Sequence, residues 1–208
     1  KQYIEADADL LIELRGLHAD LKSNHDVVGT DGSIPSPSYE GPYVILRDAI
    51  IRDPSFGEQY NLEVFQDGGV YPDDYDLPCN LNDAFQSLAV NYSVADALSG
   101  ESWSDRVNQS VYLEDGQIVY LRNEVRVEAT TSSDSKKVIN EFENMLGNTD
   151  DSGTLRYNLD GNAQMYVTGD LAMLQVVLDG LSSSQIESTL ISLAVSFLVL
   201  FTLTRRLL

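Results

Sequence analysis

The sequence predicts an α+β chain that ends in a helix able to cross a lipid bilayer. Three observations carry this expectation: a leucine-striped helix near the start, two β-prone runs around an Asp-Gly turn, and an uncharged run closed by two arginines. At 208 residues with 43% hydrophobic content, the chain has the length and apolar material for a real core.

Its charge balance is lopsided. There are 33 acidic residues against 13 basic ones, a formal net charge of -20, and the acids are dispersed rather than collected in a tail. A dispersed excess suits a surface hydrated in strong salt, where screening removes the self-repulsion, so a halophilic setting is expected. The same field disfavours nucleic acid and anionic membrane surfaces as partners. Cys79 is the single cysteine, so neither an internal disulfide nor a cysteine metal cluster is expected. The sequons at Asn91 and Asn108 only permit an exported location.

Residues 7–22 space Leu10, Leu14, Leu17 and Leu21 along one helical stripe, with Asp7 placed to cap the start. His18 in that helix reads as a boundary residue. After a loop rich in Gly, Ser and Pro, residues 43–53 and 81–92 show helical periodicity, and the acidic, aromatic stretch between them reads as turns. Residues 26–105 are therefore expected to form a mainly helical insertion. Asp115-Gly116 then sits between two β-prone runs in 110–129, the signature of a two-residue hairpin turn. Alternation along the second run predicts Val119, Leu121, Val125 and Val127 on the core face. A helix over 134–146, capped by Asp134 and ended by Gly147, precedes a last strand over 163–170.

Chemistry-bearing motifs are weak. Asn148, Asp150, Ser152 and Gly153 match the start of a calcium loop, but its twelfth position is Leu159 instead of a bidentate Glu. The acids Asp73, Asp74, Asp76 and Asp83 lack ligand spacing and read as a solvated loop. No G-x-S-x-G is present, and the two histidines, His18 and His25, both fall in or just after the first helix. Neither a P-loop nor a dinucleotide fingerprint occurs. No catalytic residue, cofactor or metal is expected, and the chain reads as one that binds, moves or transmits.

Residues 190–203 carry no charge. At ~1.5 Å per residue they cover roughly 21 Å of a ~30 Å hydrocarbon layer, and extension back to Ile186 makes the span nearly sufficient. A buried core helix is the competing account. Arg205 and Arg206 favour the membrane, because basic residues collect on the cytoplasmic flank while the acid-rich bulk lies on the other. Residues 1–185 would then be extracytoplasmic. Lys1-Gln2-Tyr3 reads as the interior of a longer chain, and Leu207-Leu208 as the opening of another apolar stretch.

The stretch "YVTGDLAMLQVVLDGLSSSQIESTLISLAVSFLVLFTLTRR" resembles the passage from outer domain to membrane helix in exporters of the RND superfamily, notably the MMPL-type branch. The parts that match are Val167-Thr168-Gly169, an amphipathic segment over 171–181, Ser184-Gln185 and Arg205-Arg206. The resemblance implies a porter domain of ferredoxin-like split β-α-β-β-α-β form over 1–25 and 106–170, its first strand lying before Lys1. It further implies a connector over 171–185 and a transmembrane helix over 186–204. Gly169, Gly180, Ser184 and Gln185 would couple motion between porter domain and bilayer. The implied activity is proton-driven export of lipids or other amphiphiles, with the rest of a transporter and further copies of itself as partners. A surface-binding protein held by a C-terminal anchor is the alternative, and a relative of the protein-export partners of that superfamily is a third reading.

Overall fold

The structure, a computed structural model, describes residues 3–23, 39–74, 76–90, 102–127, 132–169 and 185–197, together with 173, 177, 180 and 181. The chain divides into two compact units. The first is Lys1–Glu128 with Asn140–Tyr166, and the second is Ala129–Ile139 with Val167–Leu208. Mixed helix and small sheets make the whole an α+β chain.

The first unit opens on α1 (Ala8–Ser23), whose Leu10 backbone N–H is held by the Asp7 carboxylate at 3.0 Å, the cap the sequence predicts. Leu10, Leu11, Leu14 and Leu21 are buried. β1 (Tyr39–Glu40) leads into α2 (Pro42–Arg52) and α3 (Pro54–Gln59). Proline begins both helices, where its missing N–H costs nothing, and Asp53 caps the second through Ser55 N–H. β2 (Leu62–Val64) and β3 (Val70–Pro72) follow, then α4 (Leu81–Val90), which buries Leu81, Ala84, Phe85 and Leu88 at helical spacing. α5 (Trp103–Ser110) runs straight into the hairpin of β4 (Val111–Glu114) and β5 (Gln117–Leu121), and β6 (Glu124–Val125) pairs antiparallel with β1. α6 (Ser132–Leu146) and the short α7 (Leu155–Asn158) complete the named elements.

One core cluster gathers Leu10 and Leu14 of α1, Ile45 and Leu46 of α2, Phe85 of α4, Trp103 of α5 and Ile118 of β5. Helices from 42–90 and the flanking α1 and β5 thus share a single interior. A second cluster joins Leu21 and Tyr39, with Leu17, Val125, Val127, Phe142 and Met145 half-buried against it.

Several expectations are corrected. Part of the stretch expected as turns is the antiparallel pair β2–β3, with Val64 opposite Val70; the Phe65–Tyr71 ring contact at 4.8 Å helps hold it. α5 was not expected. Its signal is Ser102, three residues before Asp105, which accepts the Asp105 N–H and donates its own hydroxyl to that carboxylate. Asp134 lies inside the first turn of α6 instead of capping it. The Asp115-Gly116 turn is as predicted, with φ of 53° and 76°, and the predicted inner face holds from Val119 to Val127, with Ile118 as the exception. Tyr112 pairs with Tyr120 and Leu113 with Ile118, so Val119 is an extra, bulged residue. The bulge resets the alternation at one point: Ile118, expected on the outer face, is completely buried, while Val119 and Leu121 are half-buried and Tyr120 is exposed as expected. Residues 163–168 are not a strand. Among the described residues there are three two-stranded ladders, and none of them is a four-stranded sheet.

In the second unit, residues 185–197 are helical and every one is exposed. Among the described residues no helix is long and apolar enough to cross a membrane.

Candidate functional site

Two features of the described chain offer more than core packing. The first is an apolar cleft of about 300 Å³ inside the first unit. Leu10, Leu14 and Leu17 of α1 form its floor, β5 supplies Val119 and Leu121 on one side, and Ala163 and Met165 lie on the other. Local chemistry builds each wall. The half-buried residues of β5 face the cleft because the bulge turns Ile118 alone into the core. The opposite wall is fixed by Arg156, which donates to the Glu143 carboxylate at 2.7 Å, to the Gly147 carbonyl at 3.0 Å and to the Met165 carbonyl at 3.3 Å. At one end, Ile4 N–H donates to the Ile118 carbonyl at 2.8 Å, while Glu5 N–H donates to Asn162 Oδ1 at 2.7 Å.

The second feature is the helix over 185–197. Ile186, Leu190, Ile191, Leu193, Val195 and Phe197 are 54–72% exposed and lie on more than one face of it. Bulky apolar side chains around a helix's circumference belong in an apolar medium or against a partner. Of the residues singled out in the sequence, Gln185 is the first described residue of this helix and is exposed. Gly169 has φ of +124°, which favours glycine, and its carbonyl accepts the Met173 N–H at 3.0 Å, so the chain changes direction there. Gly180 is helical and exposed, and a Cβ there would meet nothing within 4 Å. Val177 and Leu181 are exposed as well. Ser184, Arg205 and Arg206 lie outside the described residues.

Three titratable groups of the first unit, His18, Cys79 and Arg106, are buried or half-buried in its packing. His18 lies between the Tyr39 and Tyr43 rings, at centroid distances of 5.4 and 5.0 Å. Burial, with Arg47 and Lys22 nearby, pulls its pKa down to about 4, so the imidazole is neutral at neutral pH. Cys79 is a buried thiol pushed up to about 11 by desolvation, the opposite of an activated nucleophile. Arg106 is 3% exposed; its Nε bonds Glu40 and its Nη2 bonds Asp48, each at 2.9 Å, and its guanidinium lies 5.2 Å from the Trp103 ring. These partners are 66 and 58 residues away in the chain, a separation no local motif can signal.

In comparison with known proteins, the chain matches no family model, no curated protein and no solved structure.

Proposed function

We propose that this chain is the outer, extracytoplasmic domain and adjoining membrane helix of a proton-driven exporter of the RND/MMPL type, handling lipids or other amphiphiles. The observation that carries the reading is the exposure of Ile186, Leu190, Ile191, Leu193, Val195 and Phe197 on the 185–197 helix. Lipid is the medium that would cover such side chains on every face at once. At ~1.5 Å per residue, 185–197 gives roughly 20 Å of helix, and residues 198–204 continue the uncharged run toward Arg205 and Arg206.

A ferredoxin-like split fold is proposed for the outer domain. Its support is the order α1, β4, β5, α6, and the position of Ile4–Glu5 between Ile118 and Asn162. In this reading the exposed Val177 and Leu181 and the turn at Gly169 belong to a connector that transmits motion between lipid and domain.

The test is transport by the full polypeptide in sealed inverted membrane vesicles with an imposed proton gradient. A fluorescent amphiphile should move only while the gradient lasts and stop on addition of a protonophore. Movement indifferent to the gradient, or none at all, contradicts the proposal.

A further inference from the structure

From the unpaired guanidiniums beside the turn between β2 and β3, we infer that Arg15 of α1 and Arg47 of α2 form a binding site for a phosphate-type oxyanion. The inference goes beyond the export reading and does not depend on it.

Ion pairing singles these residues out. Among the described residues, Arg106, Arg122, Arg126 and Arg156 each meet a carboxylate, as expected where acids outnumber bases 33 to 13. Arg15, Arg47 and Arg52 meet none there. Arg47 Nε is moreover buried without a hydrogen-bond partner among the described residues. A buried donor left unpaired is costly, and a guanidinium cannot shed its proton to escape that cost.

Two of the three converge on one corner of the first unit. Tyr43 and Arg47 lie one helical turn apart on α2, and the Tyr43 hydroxyl accepts the Val70 N–H of β3 at 2.9 Å. Arg47 Nη2 comes within 3.8 Å of the position a Cβ would take at Gly68, in the β2–β3 turn. From α1, the Arg15 guanidinium lies over the Tyr71 ring, 4.2 Å from its centroid. A guanidinium over a ring uses its face and leaves its N–H edge for an acceptor. His18, further along α1, packs its ring 5.0 Å from that of Tyr43, so the two helices meet here. Arg15 and Arg47 are half-buried, and the exposed Lys22 lies near enough to act on His18 together with Arg47.

The acid of the turn is already engaged. Asp67 Oδ1 accepts the Gly69 N–H at 2.8 Å and its Oδ2 accepts the Tyr71 hydroxyl at 2.7 Å. Arg15, Arg47 and Lys22 against Asp67 leave a local excess of positive charge on a chain of net charge -20. Everywhere else that field repels anions, so a saturable anion site here is selective by position. Arginine forks arriving from two elements suit a tetrahedral oxyanion, whose oxygens diverge. A carboxylate offers one plane, and chloride has no directional acceptor. A soluble phosphate and the phosphate of a lipid headgroup share this chemistry.

The test is calorimetric titration of inorganic phosphate into the 208-residue chain in neutral detergent, with sodium chloride and sodium acetate at equal ionic strength as references. Phosphate should bind saturably, and Arg15→Met or Arg47→Met should each weaken it by about tenfold or more. Arg122→Met, at an exposed pair with Glu124, should leave binding unchanged. A second readout needs no variant. Burial, then Arg47 and Lys22, hold the His18 pKa at about 4, so an anion that offsets those charges should raise it, as followed by proton NMR. Dihexanoyl phosphatidic acid separates the sources: tighter binding than inorganic phosphate assigns a lipid headgroup, and binding no tighter assigns a soluble phosphate. Phosphate that acts no differently from chloride or acetate, or that leaves His18 unmoved, overturns the inference. So does phosphate binding that appears only after Asp26→Asn or Asp31→Asn, which would give the arginines a partner within the chain. A failed vesicle assay alongside the predicted binding would refute export while leaving the anion site intact.

Discussion

His18 shows how much a single position can depend on its surroundings. Its ring contacts those of Tyr39 and Tyr43, and its buried Nδ1 has no hydrogen-bond partner among the described residues. Burial is the main reason its pKa falls from 6.5 to about 4, and Arg47 and Lys22 add to it. Between those two values the unfolded chain binds a proton that the folded chain refuses. Stability is therefore complete above pH 6.5, falls as pH drops toward 4, and loses nothing more from this group below that. A series of melts from pH 7 to pH 4 should show a steeper loss in the native chain than in His18→Phe, which keeps the ring between the tyrosines. Parallel profiles would remove His18 as the cause. His18 is half-buried, as a boundary residue should be, but its two ring contacts were not legible, because Tyr39 and Tyr43 lie 21 and 25 residues further along the sequence.

At the scale of elements, local chemistry made much of the fold legible. Asp7, the leucine stripe of α1 and the Asp115-Gly116 turn all act within a few residues, and each formed as read. What stayed hidden depends on contacts across the chain. The bulge at Val119 put Ile118 in the core against the alternation read from the sequence, while Leu121, Val125 and Val127 beyond it pack on the expected face. Residues 163–168 have strand-like composition but no ladder, and a strand exists only when paired. The cleft was illegible for the same reason: its floor and two walls come from three distant parts of the sequence. The packing of α3 on β2 was equally invisible, and it turns on Gly57. A Cβ there would collide with the Leu62 carbonyl oxygen and press on Ile50. Gly57→Ala should cost about 1–3 kcal/mol and lower the melting point by several degrees. An unchanged melting point would show that the α3–β2 contact yields freely.

Charge acts on the molecule as a whole. Its net charge of -20 resists compaction at low ionic strength, and at 1 M salt the screening length shrinks to about 3 Å. Melting temperature should rise steadily from low to molar sodium chloride. A melting point indifferent to salt would mean that the acids contribute hydration alone. The ion pairs of buried Arg106 with the partly exposed Glu40 and Asp48 are screened less than surface pairs, so their contribution should change less with salt.

The account of the whole molecule rests on where the exposed apolar helix resides. Cys79 is 4% exposed with its thiol pushed up to about 11, so a cysteine introduced at exposed Ser196 can be labelled selectively with an environment-sensitive NBD dye. With the labelled chain reconstituted into vesicles, the account predicts blue-shifted emission that brominated lipid chains quench. Emission that stays water-like and unquenched would contradict it.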